Sequence, residues 1–239
     1  MPPPRVASRE ERDRLRRELL DAEKALTRQG DEVARQRRAL PWVRVEKDYS
    51  LRDADGRAVQ LSELFREGTA DLVVYHFACG PGADDPCDQC CCWVEGFDAY
   101  APFFDGSFGF AVVAGAPHER LRALTGLRGW TLPMYSSAGS DFSQDFAVEG
   151  YEEEGDGTGG AAPRSPALSV FRKEDGVVYC TYSTSGRGLE VFNPVWAFLD
   201  TLPNGREGWH QEHRHLCREK RPHECNGSDE SSKKPRSAG

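Results

Sequence analysis

The stretch "DLVVYHFACGPGADDPCDQCCCW", residues 71–93, contains a continuous apolar run followed by five of the chain's eight cysteines. Residues 71–77 are rich in β-branched and aromatic side chains, which predicts a buried central strand. We expect a helix over residues 86–104, because Asp85 is a good N-cap and Pro86 suits the first helical position. This strand, loop and helix place the cysteines at a helix start.

Strand and helix patterns alternate along the rest of the chain. Upstream, two short strands meet at Asp55-Gly56, and Ser62 is expected to cap a helical turn. Downstream, the pattern predicts a strand in "FGFAVVAG", a helix in "HERLRALTGL", a short strand in "TLPMYSS", two antiparallel strands over 166–183 and a helix over 193–202. Such alternation predicts one layered α/β domain.

The first 40 residues predict a separate amphipathic helix. Ser8 and Glu11 have capping-box spacing, and the helix should stop before Pro41. Its apolar positions recur at spacings of 4, 3, 4 and 7: Leu15, Leu19, Ala22, Leu26 and Val33. This stripe must dock on the body of the protein or on a second subunit, so a homodimer through the helix is one expectation.

These patterns divide the chain into three parts. Residues 1–40 form the helix and residues 41–205 the α/β domain, within which 149–166 is an acidic, glycine-rich loop. Residues 206–239 form a partly disordered tail that contains histidine and cysteine. The tail run "HQEHRHLCREKRPHEC" has metal-binding residue types, but isolated tail histidines are usually solvated.

Charge and hydropathy limit the partners. The net charge is −8, and residues 49–205 hold 10 Lys and Arg against 23 Asp and Glu. The negative electrostatic potential of this segment disfavours binding of nucleic acid and anionic substrates. The apolar runs are far shorter than the roughly 18 residues of a membrane span, and the start lacks the apolar region of a secretory signal. We therefore expect a cytoplasmic protein in a reducing compartment, where structural disulfides are rare.

The cysteine cluster is typical of a redox dithiol. Cys87 and Cys90 form C-x-x-C at the predicted helix start, where the helix dipole favours a thiolate at Cys87. Lowering a thiol pKa from ~8.5 to ~7 raises its thiolate fraction at neutral pH from a few per cent to about half. Cys87 is then the nucleophile and Cys90 the resolving thiol.

A metal site is the alternative. Positions 87, 90 and 91 share one helix face, so Cys87, Cys90 and Cys91 with His76 are candidate ligands for Cu(I) or Zn(II). A metalloenzyme or a metal-handling protein would follow. Against this, His76 in an apolar strand is also typical of a hydrogen-bonded core histidine. A catalytically silent interaction protein that dimerises through its first helix is a third hypothesis.

Several segments in one order resemble a known family. They are the first helix up to "KDY", "VVYHF", the C-x-x-C with Trp93 and Asp98, "YSSAGSDFSQDF" and "TYSTSGRGLE". Together they resemble an uncharacterised thioredoxin-like family of predicted dithiol–disulfide oxidoreductases, over roughly residues 8–203. The resemblance implies a thioredoxin-like mixed sheet with helices on both faces, related to peroxiredoxins and thioredoxins, in addition to the long N-terminal helix.

The resemblance also assigns residues. "PALSVFRKEDG" looks like the thioredoxin element in which a cis-proline, here Pro166, opens a strand that faces the cysteines. Arg187, after "TYSTSG", is expected to stabilise a thiolate or a substrate carboxylate, or else to form a surface ion pair. Cys79 and Cys92 depart from the family pattern, since large apolar residues usually occupy their places, and two added thiols favour a soft metal.

The sequence thus predicts an oxidoreductase. In the dithiol hypothesis it needs no cofactor, acts on a small-molecule or disulfide substrate and is reset by an external thiol reductant. Asp141 and Asp145 are either acid/base or substrate-orienting groups, or else helix caps and turn formers, the more common role of paired Asp in a loop. The partners do not include nucleic acid or a membrane.

Overall fold

The computed structural model describes residues 5–80, 88–104, 106–146 and 166–207. They belong to two units, Met1–Val43 and Arg44–Gly239. The predicted acidic loop and tail fall almost entirely outside the described residues. No helix of the described chain is long and apolar enough to cross a membrane.

The first unit is the helix α1, Arg9–Arg38, as its apolar periodicity predicts. Ser8 is the N-cap, and its hydroxyl accepts the Glu11 N–H at 3.1 Å. Acidic residues occupy the first turn and basic residues the last, the distribution that complements the helix dipole. The helix has no buried residue, so it does not form a hydrophobic core.

The second unit is built on one sheet. The short strand β1, Val43–Arg44, stands at the boundary between the units. The other strands are β2 (Ser50–Arg52), β3 (Ala58–Gln60), β4 (Asp71–Phe77), β5 (Gly109–Ala114), β6 (Met134–Ser136), β7 (Ala167–Glu174) and β8 (Val177–Ser185). They lie in the order β8-β7-β4-β5-β6-β2-β3.

The helices of this unit are α2 (Asp88–Phe104), α3 (His118–Arg128), the one-turn α4 (Phe142–Asp145) and α5 (Pro194–Thr201). Two 3₁₀ segments, Leu61–Glu63 and Gly186–Phe192, complete it. Ser62 does not cap the first of these, contrary to the sequence prediction. The Gln60 N–H donates to the Glu63 carboxylate there, and the Ser62 hydroxyl instead donates to Asp48 at 2.6 Å.

Strand β4 is the centre of the sheet. It runs parallel to β5 and antiparallel to β7, which forms a hairpin with β8. Helix α2 connects β4 to β5, and α3 connects β5 to β6, so β4, β5 and β6 are parallel. A parallel βαβ unit beside an antiparallel hairpin, in one mixed sheet, gives the thioredoxin-like arrangement that the sequence predicted.

The sheet has a core on each side. The cysteine-side core joins α2, α3 and the segment 186–192 to alternate strand residues, among them Tyr75, Phe77, Val112, Ala114 and Leu168. The opposite-side core packs α4 and the turn 61–63 on the other alternate residues, among them Leu72, Val74, Val113 and Phe171. Because strand side chains alternate between faces, neighbours in β4 belong to different cores.

Candidate functional site

The candidate site lies where β4 ends and α2 begins. The register pairs His76 of β4 with Ala167 of β7, so Pro166 stands next to the carboxyl end of β4. Helix α2 starts at Asp88 in the described chain, and Cys90 lies in its first turn. The same edge of the sheet therefore carries the helix start, the strand-opening proline and the end of the β4 strand.

Two of the predicted site cysteines are fully buried. Cys90 and Cys91 each have 0% exposed surface, and both belong to the cysteine-side core, as does Cys79. Both thiols are therefore shielded from solvent in this structure. Cys87, the predicted nucleophile, lies outside the described residues.

The other described cysteines have separate surroundings. Cys92 is half-buried, and its sulfur accepts a hydrogen bond from the Asn193 amide at 3.8 Å. Cys180 pairs with Phe171 in the β7–β8 hairpin and packs against the opposite-side core. Burial raises the pKa of both the Cys92 and the Cys180 thiols. Both sulfurs are therefore held as thiols at neutral pH, unlike a nucleophilic cysteine.

His76 lies on the other face of the sheet. Its Nε2 is hydrogen-bonded to Ser169 Oγ at 2.9 Å, and its ring stacks on Phe142 with 5.5 Å between ring centroids. Burial lowers the pKa of His76 to about 4. The side chain is thus a neutral, hydrogen-bonded core histidine. This was the alternative to a metal ligand that its apolar strand suggested.

The predicted metal ligands are only partly brought together. Cys90 and Cys91 share the cysteine-side core, whereas His76 contacts residues of the opposite-side core. Within the described ranges, no group of three or more His, Cys, Asp or Glu side chains is arranged to hold a metal ion. The remaining candidate ligand, Cys87, falls outside those ranges.

Pro166 and Arg187 border the site in different ways. Pro166 directly precedes β7, while its peptide bond to Ser165 involves a residue outside the described chain. Arg187 belongs to the 3₁₀ segment that contributes Leu189 to the cysteine-side core. Its side chain is 87% exposed, and its Nε is 3.2 Å from the Glu190 carboxylate. In this structure Arg187 therefore forms a surface ion pair.

The serines of "YSSAGSDFSQDF" hold the edge of the sheet next to the site. The Ser136 hydroxyl donates to the Ala116 carbonyl at 2.6 Å, and the Ser137 hydroxyl donates to the Ala114 carbonyl at 3.1 Å. These bonds satisfy carbonyl groups where β5 ends. The segment thus has a structural role, which explains the run of small hydroxyl residues.

A charged network that the sequence analysis missed links the start of the domain to α4. Lys47 Nζ lies 3.0 Å from Asp141 and 2.7 Å from Asp145, and the Tyr49 hydroxyl donates to Asp145 at 2.5 Å. Burial, then this hydrogen bond, raises the pKa of Tyr49 to about 12. Lys47 and Tyr49 hold the pKa of Asp145 below its usual value. The partners lie almost 100 positions apart, so no local pattern signals the network.

The strand order and the helix placement define a thioredoxin-like α/β protein. The chain belongs to the family DUF899, described as a bacterial protein of unknown function, whose family model matches residues 1–222. No curated protein matches the chain.

Solved structures similar to the chain include peroxiredoxins. Peroxiredoxin Q of Xanthomonas campestris is 16% identical, with 62% of this chain and 89% of that chain covered and a TM-score of 0.46. Peroxidoxin BcpB of Mycobacterium tuberculosis is 21% identical, with coverages of 61% and 84% and a TM-score of 0.42. A hypothetical protein of Sinorhizobium meliloti 1021 is 17% identical, with coverages of 73% and 79% and a TM-score of 0.41.

Proposed function

We propose that the protein is a thiol oxidoreductase in which Cys87 is the nucleophile and Cys90 the resolving thiol. The observation that supports this most is the position of Cys90, fully buried in the first turn of the helix that follows the central strand. Cys87 precedes Asp88, the first described residue of that helix, by one position in the sequence. A thiolate next to a helix N-terminus is stabilised by the free N–H groups and the helix dipole.

The proposed reaction has two steps. The Cys87 thiolate attacks one sulfur of a disulfide substrate, forms a mixed disulfide and releases the other sulfur as a thiolate. The Cys90 thiolate then attacks the Cys87 sulfur, closes an intramolecular disulfide and releases the second thiol. With a peroxide, the first step gives a Cys87 sulfenic acid and an alcohol, and the second step releases water. An external thiol reductant restores the dithiol, and no cofactor takes part.

The buried Cys90 fits the second step. A thiol without solvent exposure is protected from outside disulfides and oxidants, and it meets only a disulfide formed next to it. Pro166 stands at the same edge of the sheet and is proposed to bound the substrate path. We propose that Arg187, whose side chain is 87% exposed and pairs with Glu190, stabilises a thiolate or binds a carboxylate group of a substrate that is neutral or cationic overall.

The cellular setting is also proposed. A dithiol that cycles between two states needs a reducing compartment, so we propose the cytoplasm. The acidic balance of residues 49–205 favours neutral or cationic substrates over anionic ones and does not favour nucleic acid. We propose no membrane partner.

The experiment compares single cysteine variants in a disulfide-reduction assay with a thiol reductant. Cys87→Ser is expected to abolish turnover, and Cys90→Ser to stop it after one step, with a mixed disulfide that mass spectrometry detects on Cys87. Cys91→Ser is the matched control, because Cys91 is equally buried in the same core but is not needed by a two-thiol mechanism. It should retain turnover within a few-fold.

The same variants test the metal alternative. If Cys87, Cys90, Cys91 and His76 bound Cu(I) or Zn(II), loss of any one thiol would remove a large part of the binding free energy, which is roughly 10–16 kcal/mol in structural zinc sites. Protein purified anaerobically without an affinity tag would then hold a whole-number metal content, and Cys91→Ser would lose metal and activity together. That result would reject the dithiol mechanism.

A further inference from the structure

The helix α1 exposes a row of leucines. Leu19 is 54% exposed and Leu26 is 72% exposed, and the helix has no buried residue among those the structure describes. An apolar stripe over residues 15–33 of a 30-residue helix is costly to leave in water. The stripe therefore points to an additional contact of this helix.

The spacing of the stripe is that of a coiled-coil seam. Leu15 and Ala22 fall at the d positions of a heptad, and Leu19, Leu26 and Val33 fall at its a positions. These residues follow the 3.5-residue repeat over about 27 Å of helix, at 1.5 Å per residue, with one polar residue, Gln29, at the d position between Leu26 and Val33. A seam of this kind is complementary to a helix with the same seam, so the chain itself supplies a matching partner.

We propose that α1 pairs in parallel with α1 of a second copy of this chain. In that arrangement each g position faces the e position five residues further along the other helix. Glu11 then faces Arg16 of the second copy, and Glu32 faces Arg37 of the second copy. Both contacts are attractive, and both occur twice because the pair is symmetric.

The opposite orientation brings like charges together. When the seam is aligned antiparallel, Glu18 faces Glu32, Glu23 faces its own copy and Arg9 faces Arg37. The parallel pair has two kinds of repulsive contact, Glu18 with Glu23 and Arg12 with its own copy at an a position, against three kinds in the antiparallel pair, which has no attractive contact of this type. Charge complementarity therefore selects the parallel pair of identical helices, and the weak Ala22 layer keeps the association modest.

Sedimentation of the full-length protein tests the proposal. The wild-type protein should have twice the 26.6 kDa mass of one chain at high concentration. Leu19→Lys combined with Leu26→Lys puts charges into the seam and should give a monomer with an unchanged far-ultraviolet spectrum. Leu20→Lys is the matched control, because Leu20 is also exposed, at 37%, but occupies a b position outside the seam. It should remain a dimer.

A cysteine placed in the seam tests the orientation. In a parallel pair Ala22 faces its own copy, so Ala22→Cys should form a disulfide that peptide mapping assigns to position 22 in both chains. In the antiparallel alignment the two positions are offset by four residues, about 6 Å along the axis, which is too far for a disulfide. A monomeric wild type, a dimeric double-lysine variant, a monomeric Leu20→Lys protein or no crosslink at position 22 overturns the proposal.

Discussion

Protonation of the buried His76 should destabilise the protein in mild acid. Burial lowers the pKa of His76 to about 4, whereas an unfolded histidine titrates near 6.5. The folded protein therefore binds fewer protons than the unfolded chain between these two values. The stability that the neutral His76 contributes should be fully present above pH 6.5, and the free energy of unfolding should fall as the pH drops toward 4. The size of the loss follows from the two pKa values, about 2 kcal/mol at pH 5 and about 3 kcal/mol at pH 4.

Urea unfolding at several pH values measures this loss. His76→Gln removes the titration and keeps an amide near Ser169, the hydrogen-bond partner of His76. The difference in unfolding free energy between wild type and His76→Gln should narrow by about 2 kcal/mol from pH 7.5 to pH 5. Carboxylates that titrate in this range are common to both proteins and cancel. Parallel pH profiles for wild type and His76→Gln would refute the reasoning.

Three further predictions concern stability. Asp98→Ala should lower the free energy of unfolding by about 2 kcal/mol, because the Asp98 carboxylate accepts hydrogen bonds from the Thr131 N–H at 2.7 Å and the Thr131 hydroxyl at 3.0 Å. An unchanged midpoint of urea unfolding would contradict this. Glu95→Gln should lower the free energy of unfolding by about 2 kcal/mol, because it removes the carboxylate that lies 2.8 Å from Arg128, whose side chain is only 3% exposed; thermal unfolding measures the loss. A chain that ends at Glu207 should keep the melting temperature of the full chain, and a fall of many degrees would show that the tail supports the core.

The fold could be predicted well because its central elements have strong local signals. The run 71–77 is continuous and apolar, and the structure has β4 over the same residues. The periodicity of the first helix, the hairpin turn before Gly176 and the helix before Pro203 also match the structure closely. Predictions from weak local signals were wrong in places. The Ser62 hydroxyl was expected to cap a helical turn, but it donates to the carboxylate of Asp48.

The site was harder to predict because its geometry depends on which face of the sheet each residue occupies. Strand alternation separates His76 from Tyr75 and Phe77, but an apolar run on both faces hides this alternation in the sequence. The packing of α2 in the same core as Tyr75 and Phe77 shows that Cys90 and Cys91 lie across the sheet from His76. The Lys47 network was not predictable either, because its charged residues are far apart in the sequence and are brought together only by the tertiary fold.

Burial does not distinguish Cys90 from Cys91, so the choice of resolving thiol rests on the distance of each from Cys87 along the sequence. Cys90 and Cys91 are equally inaccessible and share one core. A disulfide needs its Cβ atoms about 3.8 Å apart, whereas helix neighbours three and four positions apart have Cβ atoms about 5–6 Å apart. The closer approach requires that one partner lie at the helix end, where the backbone is not held by the helical hydrogen bonds. Cys87 precedes the described start of α2, and Cys90 is one residue nearer to it than Cys91. The spacing thus favours Cys90 as the resolving thiol, and the activity of Cys91→Ser is the measurement that separates the two.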